Sequence, residues 1–380
     1  MLFYIVLYFI VILFAAVPQK RLVANISKAS VLMIRPMLIS MICICMYLGF
    51  RNQIGTDDAM YLEAFNQIAE YGTPWRNIEF SYVLICKIVQ YLHGNIQLVF
   101  FIYAVVSCVL LNYIINRLIP ESNRVIFVEL FMSFLFLTSM VLMRQFAATC
   151  LFVVGYIKLK EGKRLNSIII LILAVFVHSS AVIGVVVLSV LPWVKKLSGS
   201  AKSLILILLF IYQYIPVADL VRNFISSTSL DNIYYISYYL GSNTGYRTYS
   251  NPLGIVNILY LMLFIYMLLH KHSLNRVMND GLENSTTVLQ DLEAFSFVYF
   301  SFSMFFAQFG YVTRVAYFFS FFMIAYLSGF GKHISVNSKK LFGLVCCIVF
   351  FGLYVYSVNT FATENNTIIP YLYNFTLFSK

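Results

Sequence analysis

The sequence predicts an all-α polytopic membrane protein with about ten transmembrane helices plus a re-entrant half-helix pair. Three observations predict it. Apolar residues make up 61% of the 380 residues and charged residues only 11%, less than half the usual soluble share of about 25%. The apolar residues come in blocks, several long enough to cross a bilayer core, which takes about 20 helical residues. No run of roughly 10-residue alternating segments, the mark of a membrane β-barrel, is visible. Backbone amides in hydrocarbon must bond internally, so such blocks read as helices.

The blocks run 2–17, 33–50, 95–115, 125–142, 145–158, 166–191, 203–218, 252–270, 292–309, 313–328 and 341–358. A shorter stretch, 80–92, reads as an interfacial or half-inserted helix. The first block has no basic residue before it and is followed by Lys20 and Arg21, so it reads as a retained helix that starts outside. The loop 18–35 carries Lys20, Arg21, Lys28 and Arg35, which makes it cytoplasmic. The block 166–191 decides the rest. If it crosses, the 26 Lys and Arg split 14 inside to 12 outside; if it breaks near His178-Ser179-Ser180 and returns, they split 18 to 8. The positive-inside rule favours the re-entrant form. Broken backbone at membrane depth belongs beside protein or a wet cavity, so the break marks a cavity. The chain reads as a single transmembrane domain, 1–380, with external loops 51–94 and 219–251.

The net charge of +11 follows from basic cytoplasmic loops and does not call for nucleic acid. Seven cysteines show no zinc or redox spacing and read as small packing residues. No metal site and no cofactor are expected.

Ionisable residues on the outer side form the candidate site. Arg51 stands where the second block ends, followed by Asp57, Asp58 and Tyr61. Glu79 and Tyr82 open the short helix, Arg144-Gln145 sits in a turn, and Arg314 with Tyr317 sits in a second hairpin, Gly310 to Arg314. Snorkelling explains one arginine at a helix end. Several together suit a pyrophosphate, because guanidinium forks bind phosphate oxygens bidentately. A carboxylate at Asp57 or Glu79 suits a general base acting on a sugar hydroxyl. His178, polar within an apolar block, is a functional candidate by default, the alternative being a hydrogen bond from its ring to a neighbouring helix. Glu129 reads as a structural partner in the bundle. The tyrosines of 219–251 and of 370–373 suit either the membrane interface or sugar stacking.

The runs RNQIGTDDAMY (51–61), EFSYVL (79–84), MRQFAA (143–148), LAVFVHSSAV (173–182), RVAY (314–317) and PY (370–371) together resemble the EpsG group, Wzy-type polymerases of O-antigen and exopolysaccharide. The pattern departs at Asp58, where many relatives carry an aromatic residue. The resemblance implies a fold like that of multi-spanning lipid-linked-donor glycosyltransferases in a bacterial inner membrane. It implies a metal-independent, inverting transfer at the periplasmic face that joins repeat units carried on undecaprenyl pyrophosphate, with a chain-length regulator as a further partner. In that chemistry Arg51, Arg144, Gln145, Arg314, Tyr61 and Tyr317 bind substrate, and Asp57, Glu79 and His178 act in catalysis. An O-antigen ligase and a flippase or transporter of lipid-linked sugars remain the alternatives; an acyltransferase leaves the arginines without a role.

Overall fold

The computed structural model describes residues 1–17, 22–26, 30–34, 36–52, 54, 57–75, 78–228, 254–270, 285–330, 339–365 and 376–377. Among them the chain is helical except for one antiparallel hairpin, β1 (Leu22–Ile26) against β2 (Ser30–Ile34), in register Leu22 to Ile34 and Ile26 to Ser30. Among the described residues two helical stretches are long and apolar enough to cross a membrane, Ile96–Leu118 and Glu121–Val141. Seven more apolar helices run 10–17 residues, and one bent pair makes a third candidate span. A 15-residue helix rises about 22 Å, short of a core about 30 Å thick.

Apolar side chains face outward in stripes at helical spacing. On α1 (Leu2–Ala16) Leu2, Phe3, Val6, Phe9 and Leu13 are exposed while Tyr4, Leu7, Tyr8 and Val11 are buried. On α9 (Arg164–Val177) Leu165, Ile168, Ile169, Ile172, Leu173 and Phe176 are exposed. Water does not tolerate contiguous apolar faces of this size, and lipid does; this is a membrane protein.

Two compact units are present, residues 1–182 with 334–380, and residues 183–333. The first holds α1, α2 (Pro36–Gly49), α3 (Asp58–Tyr71), α4 (Phe80–Tyr91), α5 (Ile96–Leu118), α6 (Arg124–Leu130), a π-helical turn at Phe131–Leu135, α7 (Phe136–Val141), α8 (Met143–Lys160) and α9. The late helix Lys339–Asn365 belongs here too. Gly49 lets α2 meet α5: a Cβ there would lie 2.7 Å from Phe101 Cδ2 and 3.3 Å from its Cα. Residues 51–94, expected as a loop, contain α3. Its buried Tyr61, Ala64, Phe65 and Ile68 recur at one helical face and pack on Tyr82, Cys86 and Val89 of α4, Val99, Phe100 and Tyr103 of α5, and Met143 and Ala147 of α8. Gly72 ends α3 in the left-handed region, φ 74, where an L side chain is strained. Glu129 is buried and accepts a hydrogen bond from Cys347 Sγ at 2.8 Å.

The second unit holds most of α10 (Ala181–Lys196), then α11 (Gly199–Tyr212), α12 (Val217–Ser226), α13 (Ile255–Leu269), α14 (Ser285–Phe305), a 3₁₀ helix at Ala307–Phe319 and α15 (Ser320–Ser328). The block 203–218 is thus divided: α11 ends at Tyr212 and α12 begins at Val217. α10 and α11 meet at 118°, and Ser198 caps α11 by accepting from Ala201 N at 3.1 Å. Two lysines flank this corner and pair with α14: Lys195 with Asp291 and Lys202 with Glu293, each at 2.6 Å. Gln308 ties the next turn down by donating to Ile215 O at 2.6 Å and accepting from Ala218 N at 3.0 Å.

The Lys202–Glu293 pair is fully buried. Removing one partner of such a pair typically costs about 3–5 kcal/mol, whereas replacing both with apolar groups is often neutral. Lys202→Met is expected to lower the melting temperature in detergent, and Lys202→Met with Glu293→Leu to recover most of it. Equal loss in both variants would show that packing, not the ion pair, holds the corner.

Candidate functional site

Three helix ends in the first unit bring the site together. Glu79 is the N-cap residue of α4, yet its side chain makes no capping hydrogen bond. The carboxylate turns instead to Arg144, in the first turn of α8. A one-residue break at Leu142, ψ 49, separates α7 from α8, so Arg144 and Gln145 stand on a helix rather than in the expected turn. His178 is the C-cap residue of α9, with extended backbone at φ −153. The expected break at His178-Ser179-Ser180 is present: α9 ends at Val177 and α10 begins at Ala181. Ser81 Oγ donates to Val177 O at 3.4 Å, joining the start of α4 to the end of α9.

The Glu79 carboxylate is shared. Oε2 is ion-paired and hydrogen-bonded with Arg144 Nη1. Oε1 lies 2.5 Å from His178 Nδ1 and accepts from Ser179 N at 3.4 Å. Arg144 Nε donates to Tyr61 Oη at 3.3 Å, and its guanidinium carbon sits 5.2 Å from the Tyr61 ring centre and 5.7 Å from that of Tyr82. Tyr82 Oη donates to Tyr61 O at 2.7 Å, which fixes the two rings relative to each other. Both rings are buried, whereas the side chains of Arg144, Glu79 and His178 are 11%, 16% and 23% exposed. These three side chains are therefore part-exposed, while the aromatic box beside them is closed.

Burial pushes the Glu79 carboxyl up, but the contact with His178 and the Arg144 charge outweigh it and hold the group down at about 2. A carboxylate that acidic is a weak base and a good anchor. A cation in the first turn of a helix opposes the helix dipole, so Arg144 and the α8 N-terminus together form a strongly positive spot, and Glu79 offsets it.

The other expected site residues are placed differently from the reading of the sequence. Arg51 does not face an opening: it is buried, pairs with Asp58 Oδ1 at 3.2 Å, donates to Leu48 O at 2.7 Å and lies over Phe100. The buried Asp58 carboxylate needs that counter-charge, and its other oxygen accepts from Ile54 N at 3.2 Å. Tyr61 is likewise buried, so it holds Arg144 rather than meeting solvent. Asp57 precedes α3, accepts Tyr61 N at its backbone carbonyl at 3.0 Å, and its charge acts on the Tyr61 phenol. Gln145 is buried on α8. Arg314 and Tyr317 belong to the second unit, half-buried on the 3₁₀ helix rather than in a hairpin. Tyr234, Tyr235, Tyr238, Tyr239, Tyr246 and Tyr249, and the segment Pro370 to Tyr373, lie outside the described residues. The role of Tyr82 in the box was not read from sequence; its spacing from Glu79, just inside α4, was the available signal. Among the described residues no three His, Cys, Asp or Glu side chains cluster to hold a metal ion.

The pH dependence of stability tests this geometry. Glu79 is more acidic folded than the ordinary value of about 4.3. Its contribution is therefore full above about 4.3 and fades as pH falls toward about 2. The melting temperature in detergent is expected to fall more between pH 5 and 3 for the wild type than for Glu79→Gln. Parallel profiles would mean that the carboxylate is not held as described.

Comparison with known proteins adds a family and nothing closer. No curated protein and no solved structure matches the chain. The family model described as the EpsG family matches residues 34–373. That match takes in both helical units and every residue of the Glu79–Arg144–His178 cluster, and the chain belongs to the EpsG family.

Proposed function

We propose that this chain is a glycosyltransferase that polymerises lipid-linked oligosaccharides, joining repeat units carried on undecaprenyl pyrophosphate at the outer face of the bacterial inner membrane. The observation that carries the reading is the cluster of Arg144, Glu79 and His178 at converging helix ends, part-exposed over a buried aromatic box. Family membership supports a polymerase over other users of such a site.

In this mechanism Arg144 and the α8 N-terminus hold the pyrophosphate of the donor and stabilise the charge that grows as it leaves. An acceptor sugar hydroxyl attacks the anomeric carbon from the opposite face, the anomeric C–O bond to pyrophosphate breaks with its electron pair, and the configuration inverts. The hydroxyl proton passes to His178 Nε2. Glu79, bound to Nδ1, orients the ring for this, as a carboxylate orients imidazole in other acid–base sites. The low basicity of Glu79 supports an orienting role over the base role that it shares with Asp57 in the sequence reading. Asp57, ahead of α3, is left as the group for the acceptor. The ten-span, re-entrant topology belongs to the same proposal and puts the Lys195–Lys202 corner in the cytoplasm.

Two experiments test it. In a knockout, the wild-type gene is expected to restore a full polysaccharide ladder. Arg144→Ala is expected to slow polymerisation roughly 10²–10³-fold, and Arg144→Lys to rescue little, since an ammonium lacks the planar fork. His178→Gln should fall by about 10²–10⁴-fold. A knockout that leaves no single repeat unit on the acceptor would indicate a ligase instead. For topology, Ser198→Cys is expected to react with a membrane-impermeant thiol reagent only after the inner side is opened; labelling of intact cells would overturn the re-entrant form.

A further inference from the structure

The Glu79 carboxylate has two oxygens and two partners with different chemistry. Oε2 neutralises Arg144, the group with the strongest call on an anion, while Oε1 meets His178 Nδ1 and Ser179 N. Tyr61 and Tyr82 fix the guanidinium from behind, so Arg144 cannot swing away to find a second anion. The guanidinium is already engaged at Nη1 by Oε2 and at Nε by Tyr61, so a diphosphate that binds its Nη1–Nη2 fork bidentately takes the place of Oε2. Glu79 sits before the first turn of α4 with no capping hydrogen bond, and a turn of its carboxylate from Arg144 toward His178 keeps a contact that is already made.

We propose that Glu79 is a displaceable internal anion: it occupies the Arg144 subsite when the site is empty, and an incoming diphosphate takes Arg144 and leaves the carboxylate wholly to His178. Donor binding and assembly of the Glu79–His178 pair are then one event. Without donor, Arg144 is neutralised and His178 shares its carboxylate; with donor, the pair is complete. This rests on the reading of Arg144 as the diphosphate holder and adds regulation to it. The logic is competition: the interaction that Glu79 makes with Arg144 must be broken before the ligand's is made, so removing the carboxylate strengthens ligand binding while weakening the acid–base step. A residue that only supported the fold would not separate the two.

The test uses the full-length protein purified in nanodiscs and titrated with farnesyl diphosphate. Glu79→Gln is expected to bind it roughly 10- to 100-fold more tightly than wild type, the range for one charge-assisted contact, and Arg144→Ala to lose binding. In the polymerisation assay Glu79→Gln should lower KM for the lipid-linked donor and lower kcat as well. Glu79→Asp, which keeps the charge, should stay near wild-type affinity. Glu79→Ala supplies the same comparison should the glutamine variant fail to fold. If Arg144→Ala abolishes binding but neither Glu79→Gln nor Glu79→Ala tightens it, the displacement idea is wrong and the diphosphate reading stands. If Arg144→Ala binds as wild type does, the diphosphate reading itself falls, and displacement with it. Farnesyl monophosphate or phosphatidylglycerol binding as tightly as the diphosphate would assign the subsite to a lipid headgroup and overturn the proposal.

Discussion

One carboxylate organises the first unit's functional surface. Glu79 touches Arg144 on α8 and His178 after α9 while standing at the head of α4. Three helix ends that have no sequence proximity are thereby tied at one point. Each partner alone is costly at its position: a cation in a helix's first turn opposes the dipole, and a part-buried charge needs a counter-charge. Together they satisfy one another, and the low proton affinity of the Glu79 carboxyl is the energetic trace of that mutual support. The closed box of Tyr61 and Tyr82 then gives Arg144 a fixed aim, with an aromatic face on the cation and a hydroxyl on Nε.

The same accounting runs through the rest of the described chain. A protein with so little charge places almost every buried ion beside its opposite. Arg51 meets Asp58, Lys202 meets Glu293 and Lys195 meets Asp291. Gln97 and Gln308 satisfy backbone carbonyls where helices end or turn, at Gly49, Arg51 and Ile215. In hydrocarbon an unsatisfied group has no water to fall back on, so such pairs fix where helices may stop. The first unit uses one of these pairs differently: the Glu79 contact remains part-exposed, and that partial exposure separates a site from a structural strut.

Much of this was legible in the sequence, and the exceptions are instructive. The break at His178 was readable because a histidine and two serines interrupt a long apolar block. Glu79, Arg144 and Tyr61 stood out through residue type and nearness to block ends. Arg51 was misread for the same reason. Its position after α2 resembles that of a ligand-facing arginine, and nothing local reveals that Asp58, seven residues on, folds back onto it. The helix α3 was hidden inside a loop even though its apolar residues recur at i, i+3, i+4 and i+7, because membrane segmentation attends to long blocks and passes over an amphipathic fourteen-residue helix. The 3₁₀ helix that carries Arg314 was hidden by Gly310, which reads locally as a turn.

Composition and periodicity alone determined that this chain is helical and lives in a membrane, since too few polar residues exist to cover it in water and apolar stripes recur at helical spacing. They also supplied the candidate charges. Tertiary structure alone decided which charges meet. Glu79, Arg144 and His178 are far apart along the chain and become neighbours only because α3, α4, α5 and α8 share one core and α9 ends beside α4. Pairing energy depends on distance and burial, and a linear sequence carries neither.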